Sequence, residues 1–427
     1  MKNIAMLFPG QGAQYSGMGK QLFSRYEFVK DMFKVASDVL DMDMEHLCFE
    51  APADQLNSTE NTQPALVLCG AAAYRVFQQE TGLQPVVMAG HSIGEITALI
   101  SAEAISFEDG LKLARARGQA MAACSQPGET GMAAVVKLDR TLVEDVCQTV
   151  PGYGEDFVIA NYNSAAQLVI SGRTDALEQA KVALKEKGAS YIPLRVSGAF
   201  HSPLMKPAAS EFANLLKNIG FSSPKIPVIA NVNAKPYADV ESIPTLLTQQ
   251  ISQSVLWQES MEKLVAGEFE EIKLASDKID LFVETGPGVV IKKLTSVLFN
   301  DALSYSLDHD EDKEPLDKQL EIDVRTIQYQ PAFLGKCMAV AVSTRNNNFD
   351  NSSYQENVIE PYHKLKEMHE LCTSEERLAD ASEMKLGLQL LEQIMTSKGA
   401  EKTELEQRFR EIATVTGQAQ VLEDYLG

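Results

Sequence analysis

The segment Met88-Ala89-Gly90-His91-Ser92-Ile93-Gly94-Glu95 constrains this chain more than any other. It follows a short apolar run, Pro85-Val86-Val87, and opens an apolar helical stretch from Ile96 to Ala104, so a serine stands where a strand turns into a helix. The turn is sharp enough to demand small residues two positions either side of the serine, and Gly90 and Gly94 supply them. The hydroxyl is thereby expected to project from the backbone at a helix N-terminus, where the dipole and free N–H groups favour a developing negative charge. The pattern G-x-S-x-G also arises by chance in glycine-flanked loops, so its meaning rests on what else converges on it.

At 427 residues, 45% of them hydrophobic, the chain is long enough for two or three domains and a full-sized core. The N-terminal apolar run is too short for a secretory signal and is stopped by Pro9-Gly10. No stretch reaches the ~20 apolar residues of a membrane span. The six cysteines (Cys48, Cys69, Cys124, Cys147, Cys337 and Cys372) show no C-x-x-C pair and no histidine at metal-ligand spacing. A cytoplasmic protein with reduced thiols and no metal is expected. The net charge of −21 argues against nucleic acid or an anionic membrane as a partner.

From the start to about residue 125, strand-like runs (Ile4 to Phe8, Pro85 to Met88) alternate with helical stretches (Ala65 to Gln79, Phe107 to Ala123), the rhythm of an α/β fold with a parallel sheet. Between 131 and 195 the order becomes strand (Met132 to Val136), helix (Arg140 to Val150), strand (Phe157 to Ala160), strand (Gln167 to Ser171), helix (Asp175 to Lys187), strand (Tyr191 to Leu194). That order is the ferredoxin-like split unit. Strand-like runs return at Val228 to Ala230 and Asp280 to Val283, so residues 1–127 and 197–300 read as one large domain interrupted by a small one at 128–196. The charge run Asp308 to Glu314 reads as part of a solvated linker over 301–330. Residues 331–427 read as a helical extension, with helices over 355–372, 383–396 and 401–413. From 301 onward 25 acidic residues face 13 basic ones, net −12, so more than half of the chain's acidity lies there.

A serine at an elbow needs a base, an oxyanion hole and a means of holding substrate. Of six histidines, His309, His363 and His369 fall in the linker or tail, and His46 reads as a surface residue on a helix. His91 neighbours the serine in sequence, and its side chain is expected to point away and support the elbow. His201, in Gly198-Ala199-Phe200-His201-Ser202-Pro203, is left as the base. The loop Phe8-Pro9-Gly10-Gln11-Gly12-Ala13-Gln14 follows the first strand, at the sheet edge where α/β sites gather. The backbone N–H groups of Gln11 and of Ile93, the residue after the serine, are candidates to converge on one oxygen. A dinucleotide loop is the other reading of Gly10-x-Gly12, but G-x-G-x-x-G needs glycine where Tyr15 stands. On the helix around Leu113 to Met121, Arg115 and Arg117 point in different directions, and Arg115 suits a solvated surface better. By sequence alone Arg117 is equally a substrate ligand or a surface residue.

Together these residues resemble the malonyl-CoA:acyl-carrier-protein transacylase family. The resemblance is carried by the loop at 8 to 14, Gly-His-Ser-Ile-Gly-Glu at 90 to 95, Arg-Gly at 117 and 118, Gly-Ala-Phe-His-Ser at 198 to 202, Gln250 seven residues before Trp257, and Glu-Thr-Gly-Pro-Gly at 284 to 288. It implies an α/β-hydrolase-like large domain with an inserted ferredoxin-like lobe. It implies Ser92 as nucleophile, His201 as base, Gln11 and Ile93 as oxyanion donors, and Arg117 as ligand of the malonate carboxylate. A backbone carbonyl near Gln250, rather than an acid, is implied to orient the histidine. Phe200 matches the bulky form of its motif found in malonyl-specific members. The implied activity is transfer of malonyl from malonyl-CoA to the phosphopantetheine thiol of an acyl carrier protein, without a cofactor, for fatty-acid or polyketide synthesis.

Three readings compete: an acyl hydrolase clearing carrier proteins, whose relatives typically lack the arginine, a generic serine esterase, disfavoured by the missing partner acid, and a docking subunit of a synthase complex. The last stays open as an added role for the tail. Gly335 to Asn346 with its following helices weakly resembles tails of stand-alone acyltransferases serving polyketide assembly lines. Carrier proteins are usually acidic, so a −21 transferase is expected to dock them through a locally basic face.

Overall fold

Ile4–Phe8 forms β1, and all five of its residues are buried, as a strand covered on both faces requires. In the computed structural model, residues 2–196, 198–269, 272–274, 278–320, 333–346, 354–374, 379–400, 402–416, 421 and 425 are described. Ser197 and residues 321–330 of the linker expected over 301–330 lie outside them. The chain divides into two compact units, Met1–Gln79 with Leu83–Leu316 and Glu80–Gly82 with Asp317–Gly427.

In the first unit, helices α1 to α4 (Lys20–Arg25, Glu27–Leu40, Met44–Phe49, Ala53–Asn57) lead into α5 (Thr59–Thr81), β2 (Val87–Gly90), α6 (Gly94–Ser101) and α7 (Phe107–Ala123). A second group follows: β3 (Thr130–Val136), α8 (Arg140–Thr149), β4 (Phe157–Ser164), β5 (Gln167–Arg173), α9 (Thr174–Glu186) and β6 (Ser190–Pro193). The chain then returns through α10 (Lys206–Leu216), β7 (Val228–Ala230), β8 (Lys235–Pro236), α11 (Ser242–Ser252), α12 (Trp257–Ala266), β9 (Leu281–Glu284), α13 (Val290–Leu298) and β10 (Ser304–Ser306).

The strands make two sheets. The larger has the order β10-β9-β1-β2-β7-β8, parallel except for β8. Its register pairs Phe8 with Gly90 and Leu7 with Glu284, so β1, β2 and β9 end together. The loops that leave their carboxyl ends therefore meet at one edge, with that of β7 beside them. Ala5, Leu7, Val87, Ala89, Ile229 and Phe282 pack one face of this sheet against Trp257, Met261, Leu264, Ile291 and Leu294. The smaller sheet, β4-β5-β3-β6, is antiparallel throughout and packs α8 and α9 over Val135, Phe157, Leu168 and Ile170. It joins the large sheet's segment before α12: Val255 N–H donates to Ala160 O at 2.8 Å and Tyr162 N–H to Val255 O at 3.0 Å.

The acidic run departs from the linker expectation. Ser304–Ser306 adds β10 to the sheet, and Asp310–Gln319 is a helix, α14. Its acids have partners: Asp308 accepts from Tyr15 O–H (2.8 Å) and Gly288 N–H (2.7 Å), and Asp312 from Lys292 Nζ (2.6 Å) and Ser306 N–H (2.8 Å). Asp310, Glu311 and Asp312 also occupy the first helical turn, where the dipole favours carboxylates. A charge run at a helix start is a capping signal as well as a solvated one.

The second unit has its own core of Leu334, Cys337, Leu365, Leu388, Leu391, Ile394 and Phe409. Its helices are Phe333–Ser343, Glu360–Ser374 (preceded by a π-helical turn, Gln355–Ile359), Ala381–Ser397 and Lys402–Thr416. Asp380 and Glu383 form a capping box on the third. Lys398 Nζ donates to Ala341 O (2.7 Å) and Thr344 O (3.2 Å), satisfying carbonyls at the end of the first.

Gly94 shows why the elbow needs glycine. A Cβ there would stand 2.3 Å from Phe8 O, and one on Gly90 would stand 2.0 Å from Gly94 backbone atoms. Gly94→Ala is expected to lose about 3 kcal/mol in urea unfolding, because the obstruction is backbone that cannot rotate away. Gly131→Ala, where a Cβ meets nothing within 4 Å, is expected to stay within about 1 kcal/mol of the parent.

Candidate active site

Ser92 sits at φ 53°, a left-handed conformation that a serine adopts only when its surroundings hold it there. They do so from three sides. Ser92 N–H donates to Asn231 Oδ1 at 2.7 Å, His91 N–H to Phe8 O at 2.9 Å, and Gly94 N–H to His91 O at 3.0 Å. The turn is locked to the end of β1 and to the loop after β7.

The Ser92 hydroxyl lies 2.7 Å from His201 Nε2, and His201 Nδ1 lies 2.7 Å from Gln250 O. A carbonyl oxygen only accepts, so Nδ1 carries the proton and Nε2 is left to accept from the serine. His201 is itself at φ 57° and only 4% exposed. Burial first, and the Arg117 charge second, hold its pKa down to about 3, so at neutral pH it is an uncharged base.

Arg117 is 1% exposed, so the structure chooses the buried reading for it. Its Nη1 donates to Gln63 Oε1 (2.8 Å), and its Nη2 to Gln250 Oε1 (2.8 Å) and to Ser92 Oγ (3.1 Å). Its Nε is buried with no hydrogen-bond partner among the described residues. Burial pulls the guanidinium pKa down to about 10, with the Glu95 charge acting the other way. Arg115, two residues earlier and on the opposite side of the helix, is only partly buried and donates to Glu60 O and Asn61 Oδ1.

Gln250 ties these groups together. Beyond its carbonyl on His201 and its Oε1 on Arg117, its Nε2 donates to Glu95 Oε2 (2.7 Å) and Ser92 O (2.9 Å). Glu95 Oε2 also accepts from Asn231 N–H (3.0 Å), and Glu95 Oε1 accepts from Tyr237 O–H. Asn231 Nδ2 donates to Gly90 O at 2.7 Å.

The remaining candidates fall around this centre. The backbone N–H groups of Gln11 and Ile93 take no hydrogen-bond partner among the described residues. The neighbouring turn is set by Gly12, at φ 109°, whose N–H donates to Gln14 Oε1 at 2.7 Å. Phe200 is 5% exposed, and its carbonyl accepts from Ser171 Oγ on β5 at 2.7 Å. His91 points away from the hydroxyl: its Nε2 lies 3.0 Å from Asn163 Oδ1 on β4, and its ring packs 5.5 Å from that of Trp257. Asn231, Tyr237, Gln63 and Ser171 were not singled out by sequence, and Glu95 entered only as the end of the 90–95 motif, without a role. Glu95 left one signal, a carboxylate in the first turn of an otherwise apolar helix. Among the described residues no cluster of three or more His, Cys, Asp or Glu is placed to hold a metal ion, and no helix is long and apolar enough to cross a membrane.

Residues 5–293 match the acyl transferase domain family. The chain is 39% identical over 309 residues to the malonyl CoA-acyl carrier protein transacylase of Haemophilus influenzae, covering 72% of this chain and 96% of that one. A protein of the same name from Bacillus subtilis is 32% identical over 401 residues, 93% of this chain and 97% of its own length, so the match runs into the C-terminal unit. Among solved structures, a malonyl-transacylase in complex with a holo type II PKS acyl-carrier protein shares 35% identity at a TM-score of 0.69, covering 75% of this chain and 100% of that one.

The neutral state of His201 has a thermodynamic signature. Its pKa is lowered on folding, so below about 6.5 the unfolded chain binds a proton that the folded one refuses, and stability is lost as pH falls. Glu95 acts in the opposite sense over part of that range, its pKa being raised by burial to about 7. Comparing variants separates the two. His201→Gln is expected to gain on the parent by about 1–2 kcal/mol between pH 7 and pH 5.5, read by urea unfolding at each pH. A constant difference would mean that folding leaves the His201 pKa where it is in the unfolded chain.

Proposed function

We propose that this chain, which belongs to the acyl transferase domain family, carries malonyl from malonyl-CoA to the phosphopantetheine thiol of an acyl carrier protein by way of a malonyl ester on Ser92. The observation that carries the reading is a buried guanidinium, Arg117, with one nitrogen 3.1 Å from the Ser92 hydroxyl. A substrate with a carboxylate a few atoms from its reacting carbonyl matches that spacing. The named relatives support malonyl as the acyl group, and the neighbour solved with a type II PKS acyl-carrier protein supports a carrier as the acceptor.

The steps follow from the contacts. His201 Nε2 takes the Ser92 proton as Oγ attacks the thioester carbonyl, and the Nδ1–H bond to Gln250 O keeps the ring in the tautomer that this needs. The N–H groups of Gln11 and Ile93, with the α6 N-terminus behind Ile93, stabilise the tetrahedral oxyanion. As the intermediate collapses, the C–S bond breaks and His201 returns its proton to the leaving coenzyme A sulfur. The carrier thiol then attacks the malonyl ester through the same path in reverse. Arg117 pairs with the distal carboxylate, and an acetyl group in its place would leave the guanidinium buried and unpaired. Phe200, beside the base, narrows the pocket against methylmalonyl, a discrimination resting on one methyl and worth only ~1–3 kcal/mol.

The large sheet and its elbow form an α/β-hydrolase-like domain in this reading, and the β3-to-β6 insert a ferredoxin-like lobe. The enzyme works in the cytoplasm and feeds fatty-acid or polyketide assembly, with the helical C-terminal unit available to a synthase partner.

Arg117→Ala is the decisive variant. Its malonyl loading of Ser92, followed by intact mass, is expected to fall roughly 30-fold to several-thousand-fold, the loss of a buried charge pair. Acetyl loading is expected to hold or rise. Malonyl loading unchanged in the variant would refute the substrate assignment.

A further inference from the structure

The Glu95 carboxylate is fully buried and faces Arg117 through one side chain, the Gln250 amide, which donates to Glu95 Oε2 at 2.7 Å and accepts from Arg117 Nη2 at 2.8 Å. The two charges thus balance across a shared amide. On the reading of Arg117 as the malonate ligand, on which this inference rests, loading brings a second carboxylate to the same guanidinium. The pocket would then hold one positive and two negative charges out of water, an arrangement that costs several kcal/mol per uncompensated ion.

We propose that Glu95 takes up a proton from solvent when the malonyl carboxylate pairs with Arg117, and gives it back when the acyl group leaves on the carrier. The bond made is O–H on the Glu95 carboxyl and the proton comes from water, so no electrons move. Of the groups bonded to the carboxyl, Tyr237 is the one that can also accept. Its hydroxyl, which donates to Glu95 Oε1, rotates to accept from the new acid O–H, while Oε2 keeps its bonds from Gln250 Nε2 and Asn231 N–H. Asn231 holds Ser92 N–H and Gln250 O holds His201, so nucleophile and base stay in place in both protonation states. Glu95 is a positioning residue that also absorbs the substrate's charge.

Among the described residues no other group packed around it is suited to the task. Arg117 on α7 stays charged, with a pKa near 10, and His201 and His91 are held uncharged by burial. Tyr237, beside β8, is pushed far above its usual range by burial and by Glu95 itself. Gln250 on α11 and Asn231 after β7 do not titrate. Glu95, raised by burial to about 7 against the pull of its hydrogen bonds, is the group poised to change state near neutrality.

The test is proton counting. Wild-type protein is mixed with excess malonyl-CoA, without carrier, in weak buffer containing a pH indicator, while intact mass counts the serines acylated. Ester formation with release of a thiol is itself proton-neutral, so any uptake belongs to the protein. The expected uptake per acyl-serine is several-fold larger at pH 7.5 than at pH 6.0, where free Glu95 is already protonated. In Glu95→Gln, the uptake per acylated serine is expected to vanish. Loading without uptake across the whole range from pH 6 to 8, or equal uptake in the variant, overturns the proposal. Should the variant fail to fold, the wild-type pH series decides alone. Failure of wild type to load at all would instead strike the malonyl reading beneath it.

Discussion

Ser92, His201 and Arg117 are tied together through Gln250. Its backbone carbonyl fixes the histidine tautomer, its Oε1 holds the arginine, and its Nε2 reaches both the Ser92 carbonyl and Glu95. One buried residue therefore sets His201, Arg117 and Ser92 relative to each other. Each buried member left unpaired in such a network costs about 1–3 kcal/mol, and Arg117 Nε is left so among the described residues. On the proposed mechanism a backbone carbonyl does here what a third carboxylate does in other serine catalysts. It aligns His201 without adding a negative charge beside a pocket meant to receive one.

The two sheets share the work. The large sheet brings Gln11, Ser92 and Asn231 to the ends of neighbouring strands, where their loops converge. The small sheet grips that arrangement at Asn163 against His91, Ser171 against Phe200 O, and Val255 between Ala160 and Tyr162. His201 thus lies on a segment leaving the insert, braced by it, while Ser92 belongs to the large sheet. Both Ser92 and His201 carry left-handed backbone, and the 2.7 Å bond between them depends on both turns being held.

What the sequence made legible was what local pattern encodes. The elbow declared itself through Gly90 and Gly94, whose spacing answers to backbone clashes close by in the fold. The strand and helix order of the insert followed from periodicity alone. Arg117 was not decidable, because a helix face does not say what packs on it, and burial by α5 and α11 through Gln63 and Gln250 is long-range information. Glu95, Asn231 and Tyr237 stayed hidden for the same reason, since they meet across more than 130 positions of chain. The acidic run at 308 to 314 misled in the opposite way. Its charges suggested solvent, yet Asp308 and Asp312 are spent on Tyr15, Gly288, Ser306 and Lys292.

An acyl-serine flanked by a neutral base is open to water as well as to a thiol, so the central claim is that the ester forms on Ser92 and waits for its carrier. Peptide mapping by mass spectrometry after mixing with malonyl-CoA, before and after adding a phosphopantetheinylated carrier, tests this directly. The account predicts one malonyl group on the peptide containing Ser92, persistent without carrier and discharged onto the carrier thiol. A malonyl group on another residue, or free malonate accumulating in the absence of carrier, would contradict it.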